Sequence, residues 1–327
     1  MGRKTRISIQ PINKPAGFIM PLSPRSPVLP HFALLLSMLI WSSTFIGLKI
    51  ALSVYSPAVA MALRMGAAAL FCLPFLPRLV RTLKDPAVRG VLLLGVLCEP
   101  CLYFLSETSA LRYTSSAQAG MVLALLPLSV AAGARVFLGE RMGSRAWLGF
   151  ALAVSGVIWI SFGGEVSESS PAPLLGNALE ALAVLCATGY TLCMRKLSAT
   201  IPPLLLTAGM SFAGALFFSA LSLLPFSVEP VRLAVNVPDW MPLAAVLYLG
   251  IVATFGGYGL YNYGIARLSA ARAAAYTNLI PVITLFMGVL CLSEHITPVQ
   301  YLAAALVVAG VLLSQSERAM REEHAHA

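Results

Sequence analysis

The chain has 327 residues, a net charge of +9, 58% hydrophobic and only 11% charged residues, with a mean hydropathy of +0.84. Soluble domains carry roughly a quarter of charged residues, so a soluble globular protein is excluded and a membrane protein of many spans is indicated. The positive balance does not indicate nucleic-acid binding, because the basic residues sit between the apolar runs, where they set topology.

Residues 1–30 hold Arg3, Lys4, Arg6, Lys14 and Arg25, several prolines and no acids. They read as a disordered cytoplasmic tail, with a targeting peptide as the alternative. The first apolar run begins near His31 and is long enough to span, so no cleavable signal peptide is expected. Ten spans are expected over 32–53, 57–76, 88–110, 115–137, 144–163, 174–195, 203–224, 240–265, 271–292 and 297–315. Pro57, Pro86, Pro202, Pro238 and Pro298 lie near starts, where a missing N–H is harmless.

Charge fixes the expected orientation. With the N-terminus inside, 17 of the 22 Lys and Arg fall in inside segments, and only Arg112 and Arg232 fall outside. That bias places both termini in the cytoplasm and favours an even number of spans. Six cysteines (Cys72, Cys98, Cys101, Cys186, Cys193 and Cys291) all lie in apolar segments and read as packed free thiols. Cys98 and Cys101 form a C-x-x-C, but mid-membrane is the wrong context for a redox motif.

The stretch 91–120, VLLLGVLCEPCLYFLSETSALRYTSSAQAG, holds the sharpest signal. Glu99, Tyr103 and Glu107 are spaced by four, which puts them on one face of a continuous helix. A carboxylate at bilayer depth needs a partner or a wet cavity. Pro100 removes a backbone donor and kinks the helix. Glu99 reads as a proton-coupling group or an amine ligand; the alternative is a structural carboxylate paired with Lys49 or Arg64. Glu107 reads the same way, or as an interfacial group. Lys49 and Arg64 could each capture a substrate carboxylate, or serve as a salt-bridge partner or a snorkelling base. Arg135 with Glu140 reads as a structural pair, and Glu140 and Glu294 as packing and capping groups. In GGYGLYNYG (256–264) the glycines allow close helix approach, and Tyr258, Tyr261 and Asn262 form either a cavity wall or an aromatic belt. Asn278, Gln118, Trp41 and Tyr190 are further binding candidates, each equally at home in packing. There is no phosphate-cradling Gly-Lys-Ser/Thr loop, no catalytic set, and no metal or cofactor is expected.

The chain repeats. A shift of 154 residues lays Pro127 on Pro281, Glu140 on Glu294, Trp147 on Tyr301 and Gly156 on Gly310. Each half has five spans, an odd number, so the halves must run in opposite senses. Such inverted repeats are frequent in secondary transporters, with the site near the midplane.

WSSTFIGLK at 41–49, Arg64 in MALRMGAA, ALRYTSSAQAG at 110–120, and the paired segments 127–157 and 281–311, each with P…E…G, carry a family resemblance. The chain resembles the drug/metabolite transporter superfamily, specifically the EamA-type ten-helix carriers, over about residues 32–315. Many relatives have glycine and asparagine after the first-span tryptophan, where this chain has Ser42, Ser43 and Thr44. Glu99 and Glu107 lie outside the general pattern. The resemblance implies transport of small metabolites, often amino acids, commonly outward and often driven by protons.

The expected fold is all-α: ten transmembrane helices as two inverted five-helix repeats. The expected organisation is a tail at 1–30, repeats at 31–163 and 174–315, a periplasmic or extracellular linker at 164–173 and a tail at 316–327. The expected function is secondary active export of small polar metabolites, such as amino acids, in a cell membrane. Its partners are the substrate, protons and the bilayer, and it acts as a monomer or homodimer. A lipid or head-group translocase is the alternative, ahead of an intramembrane enzyme or a passive channel.

Overall fold

A computed structural model of the chain describes residues 28–138, 144–162, 167, 170–198, 200–224, 231, 233, 236–265, 267, 276–294, 297–298, 301–302, 304–310 and 313. The described residues are overwhelmingly helical, with an isolated bridge between Ser167 and Ser170. We number the helices α1 (Val28–Leu52), α2 (Pro57–Cys72), α3 (Leu76–Thr82), α4 (Pro86–Val96), α5 (Tyr103–Ala110), α6 (Ser116–Leu123), α7 (Leu126–Leu138), α8 (Ser144–Phe162), α9 (Pro173–Leu197), α10 (Pro203–Ser222), α11 (Met241–Tyr248), α12 (Tyr258–Ile265) and α13 (Leu279–Leu292).

Several consecutive helices join into single spans. Among the described residues seven helices are long and apolar enough to cross a membrane: Val28–Leu52, Pro57–Thr82, Pro86–Ala110, Ser116–Phe137, Pro173–Leu197, Pro203–Ser222 and Met241–Gly264. Trp147–Trp159 and Leu279–Leu292 are shorter apolar helices. Part of the expected tenth span, Glu140, residues 1–27 and residues 316–327 lie outside the described residues. At 1.5 Å per residue, the 25 residues of α1 reach beyond the roughly 30 Å hydrocarbon core.

The starts follow local chemistry. Ser56 Oγ accepts from Val59 N at 3.4 Å ahead of Pro57. Asp85 Oδ1 accepts from Ala87 N at 2.9 Å ahead of Pro86. Ser115 Oγ accepts from Gln118 N at 3.1 Å. Each cap satisfies a donor that a helix start leaves without a partner.

Packing pairs the helices across the bundle: α2 against α10, α6 against α13, α5 against α9, and α1 against α11, α12 and α13. Large apolar side chains such as Leu70, Val136, Phe137 and Leu216 point outward, exposed. In water that surface would be a liability, whereas lipid suits it. The inward faces bury Phe45, Met61, Met65, Phe104, Met210 and Phe218 in one continuous core. Small residues allow close approach where helices cross. A Cβ on Gly250 would lie 2.5 Å from the Arg64 carbonyl, so α2 meets the eighth expected span backbone to backbone.

Two spans are interrupted by π-helical stretches, Leu97–Leu102 and Leu249–Gly257. In the first, Glu99 has φ −145° and ψ 118°, an extended backbone inside the span. The continuous helix expected across Glu99, Tyr103 and Glu107 is therefore broken at its first member. Pro100 supplies no N–H there, so the regular ladder cannot run through. Non-helical backbone at this depth is tolerated where it lines a cavity.

Candidate functional site

The break opens onto a central cavity lined by residues of the first, second, third, fourth, sixth, eighth and ninth expected spans, among them Trp41, Arg64, Glu99, Tyr103, Glu107, Tyr190, Tyr258 and Tyr261. Its volume is about 50 Å³, room for about three to five waters at ~10–15 Å³ each.

One wall is aromatic. The Trp41 ring lies 4.7 Å from both the Tyr258 and the Tyr261 rings, tilted at 55° and 49°. Tyr190 meets Tyr258 edge-on, with centroids 6.3 Å apart. Gly257 makes this possible: a Cβ there would lie 2.8 Å from Trp41 Nε1. Quadrupole-bearing rings clustered around a cavity suit a cation or an aromatic guest.

The other wall is charged. The Tyr258 hydroxyl donates to Glu99 Oε1. The Tyr103 hydroxyl donates to Glu107 Oε1 at 2.7 Å. Arg64 Nε donates to Thr254 Oγ1 at 2.9 Å, and its guanidinium lies 4.1 Å from the centroid of the Phe104 ring. Arg64 acts electrostatically on both Glu99 and Glu107, yet no direct ion pair joins them among the described residues. Arg64 Nη1 and Trp41 Nε1 are buried donors with no partner among the described residues. Buried donors are ordinarily satisfied, so these two are free to meet a guest.

Eight of the twelve residues singled out from sequence line this cavity, although Glu99 reaches it from the break rather than from a helical face. The other four sit elsewhere. Lys49 Nζ pairs with Glu294 Oε1 at 3.5 Å, with both side chains almost fully buried. Glu294 also caps α6, accepting from Ser116 N at 2.9 Å and Ala117 N at 3.1 Å. Gln118 Oε1 accepts from Asn177 Nδ2 at 3.0 Å and from Thr114 Oγ1 at 3.2 Å. Asn262 Nδ2 donates to Thr207 Oγ1 at 3.0 Å. Asn278 precedes α13 and its Oδ1 is buried without a partner. All six cysteines are free thiols. Tyr263 is a stacking platform for Arg267, whose Cζ lies 3.5 Å from the ring centroid.

Sequence reasoning passed over Thr44, Phe104 and Thr277 of the lining, and Thr254 behind Arg64. Threonine and phenylalanine are common in apolar runs and did not stand out there as the charged groups did. It also passed over Glu180 in α9, which is wholly buried. The rule that singled out Glu99, a carboxylate inside an apolar run, applies to Glu180 as well.

A model of EamA-like transporters matches residues 28–162 and again residues 174–315. The chain belongs to the EamA-like transporter family. It is a multi-pass membrane protein, a transporter and not an enzyme, and its substrate is a small molecule. An uncharacterized transporter of Archaeoglobus fulgidus is 28% identical over 87% of this chain and 98% of its own. The uncharacterized inner membrane transporter YedA of Escherichia coli K12 is 25% identical over 88% of this chain and 90% of its own. A protein of Streptantibioticus cattleyicolor named "Probable terminal-alkyne amino-acid exporter" is 27% identical over 86% of this chain and 92% of its own. A crystal structure at 21% identity shares the fold, with a TM-score of 0.60 over 88% of this chain and 97% of the other.

Proposed function

We propose that this EamA-family transporter is a proton-coupled exporter of amino acids or close relatives, working by alternating access around the central cavity. The observation that carries this is the cavity's two-sided chemistry. Glu99 and Glu107 offer carboxylates to an ammonium group beside an aromatic wall. Arg64 Nη1 and Trp41 Nε1 offer unpaired donors to a carboxylate. A zwitterion answers both. The amino-acid exporter named among the relatives supports the same substrate class.

The architecture we propose is ten spans in two inverted five-helix repeats, 31–163 and 174–315, with a linker at 164–173 and both termini cytoplasmic. Three observations support it. The family model matches twice. The π-helical stretches occupy corresponding spans of the two halves. The packing is reciprocal: α2 on α10 and α6 on α13 each join corresponding spans. The cavity has room for only a few waters, so binding an amino acid requires it to widen. The π-helical stretches are the places where the helix ladders are already broken.

Glu99 is the coupling acid in this scheme. It faces the cavity, holds the Tyr258 hydroxyl and feels Arg64, so a bound ammonium group and a proton compete for it. The test is uptake of labelled amino acids into proteoliposomes under an imposed pH gradient. Wild type should accumulate substrate with the gradient, and Glu99→Gln should transport without responding to it. If Glu99→Gln keeps both rate and gradient dependence, coupling through Glu99 is wrong. If wild type moves no amino acid but scrambles labelled lipid, the protein is a lipid translocase.

A further inference from the structure

Glu180 has no part in the scheme above. It lies on α9, is 0% exposed, and among the described residues neither carboxyl oxygen has a hydrogen-bond partner. The charged group that acts on it is another carboxylate, Glu107. Glu107 and Tyr103 both sit on α5, which packs directly on α9, and Tyr103 feels both acids. Arg64 acts on Glu107 and on Glu99 but is not among the groups acting on Glu180. The other elements against α9 bring Glu99, Cys98 and Cys101 on the π-helical stretch, and Arg89, Arg135 and Arg145, which are exposed.

A carboxylate with no donor and no counter-charge is not sustained in a dry interior; the neutral acid is. Two carboxyl groups that repel each other titrate as a pair, one giving up its proton while the other keeps it. Their settings differ in the way such a pair needs. Glu107 has the Tyr103 hydroxyl, the Arg64 field and the cavity. Glu180 has none of these.

We propose that Glu107 and Glu180 form a second proton-holding pair at the α5–α9 contact, separate from Glu99, with the proton resident on Glu180 in the conformation described. To leave, the proton moves from Glu180 to an ionised Glu107: the O–H bond on Glu180 breaks, one forms on Glu107, and the negative charge passes to Glu180. The protonated Glu107 then donates to the Glu180 carboxylate, and it releases the proton to water only when the cavity widens and wets the α5–α9 contact. Glu107 is thus the gateway and Glu180 the store. The store does not depend on which substrate is carried.

Infrared difference spectroscopy on the full-length protein in lipid tests this without transport. A protonated carboxylic acid has a carbonyl band that shifts in D2O. Wild type should show such a band at neutral pH, where ordinary carboxyls are ionised. Glu180→Gln should lose it, while Glu99→Gln should keep it. Glu180→Asp should keep a band at a changed position or midpoint. Absence of the band in wild type at neutral pH overturns the proposal, as does its persistence in folded Glu180→Gln. If Glu180→Gln does not fold, an unchanged band and midpoint in Glu180→Asp overturns it. Because the readout is protonation and not uptake, its failure is distinct from failure of the amino-acid assignment.

Discussion

Glu294→Gln separates a structural from a substrate-binding role for Lys49. The Glu294 carboxylate pairs with Lys49 at 3.5 Å and caps two N–H groups at the start of α6. It therefore ties α1, α6 and the end of α13 together at one point. Glutamine retains an oxygen that can accept one of the two N–H bonds but removes the charge. The ammonium of Lys49, 1% exposed, then loses its carboxylate partner, and breaking a buried pair from one side costs about 3–5 kcal/mol. The lost charge at the α6 N-terminus adds about 0.3–1 kcal/mol. Lys49→Met combined with Glu294→Gln removes the buried ammonium as well and should recover most of the loss, leaving about 1–2 kcal/mol from the weakened cap. Equilibrium unfolding in mixed micelles of increasing SDS fraction measures each value. A single variant within about 0.5 kcal/mol of wild type would refute the ion-pair account. So would a double variant no more stable than the single. The crowding is independently testable: a Cβ on Gly288 would lie 2.5 Å from Glu294 Oε2, so Gly288→Val should destabilise by the same route.

Three further outcomes are expected. Gly257→Ala puts a methyl where Trp41 Nε1 lies, 2.8 Å from the added carbon. It should shift Trp41 emission in a background without the other three tryptophans and cut amino-acid uptake by ~10- to 100-fold, as a misplaced binding group does. Arg64→Gln removes the guanidinium with the unpaired Nη1 and should raise KM for a zwitterion ~10- to 100-fold, the worth of a charged hydrogen bond; decarboxylated amine analogues should be spared, and equal loss for both would refute carboxylate recognition by Arg64. Ser293→Gly relieves a left-handed residue at φ 53° and should stabilise by ~0.5–1 kcal/mol in the same unfolding assay; a destabilised variant would refute the backbone-strain account.

Much of the cavity was legible from sequence because membrane interiors make charge conspicuous. Glu99, Glu107 and Arg64 stand out in apolar runs, and all three line it. The aromatic wall was legible as a choice between cavity and belt, and geometry decides it: Trp41 can reach Tyr258 and Tyr261 because Gly257 lies between them. What periodicity could not carry was the backbone at Glu99. A 3.6-residue pattern presumes a continuous helix, and Pro100 ended it one residue past the carboxylate.

Partner choice was equally beyond reach. Lys49 offered itself to Glu99 or to a substrate, and its partner, Glu294, lies 245 residues away in the other half of the chain. The halves thus meet in two chemically different layers. Lys49, Glu294 and the start of α6 form a layer where every charge has a counterpart and a cap, which suits a fixed joint. At the cavity, Glu99 and Glu107, with Glu180 buried behind them, outnumber Arg64, and donors on Arg64 and Trp41 stay unpaired among the described residues. Such a layer is incomplete by itself, because excess buried acid needs protons or a cationic guest and unpaired donors need an anionic one. A transporter needs that division: a satisfied layer to hold the bundle, and an unsatisfied one whose equilibrium a guest and its protons can shift.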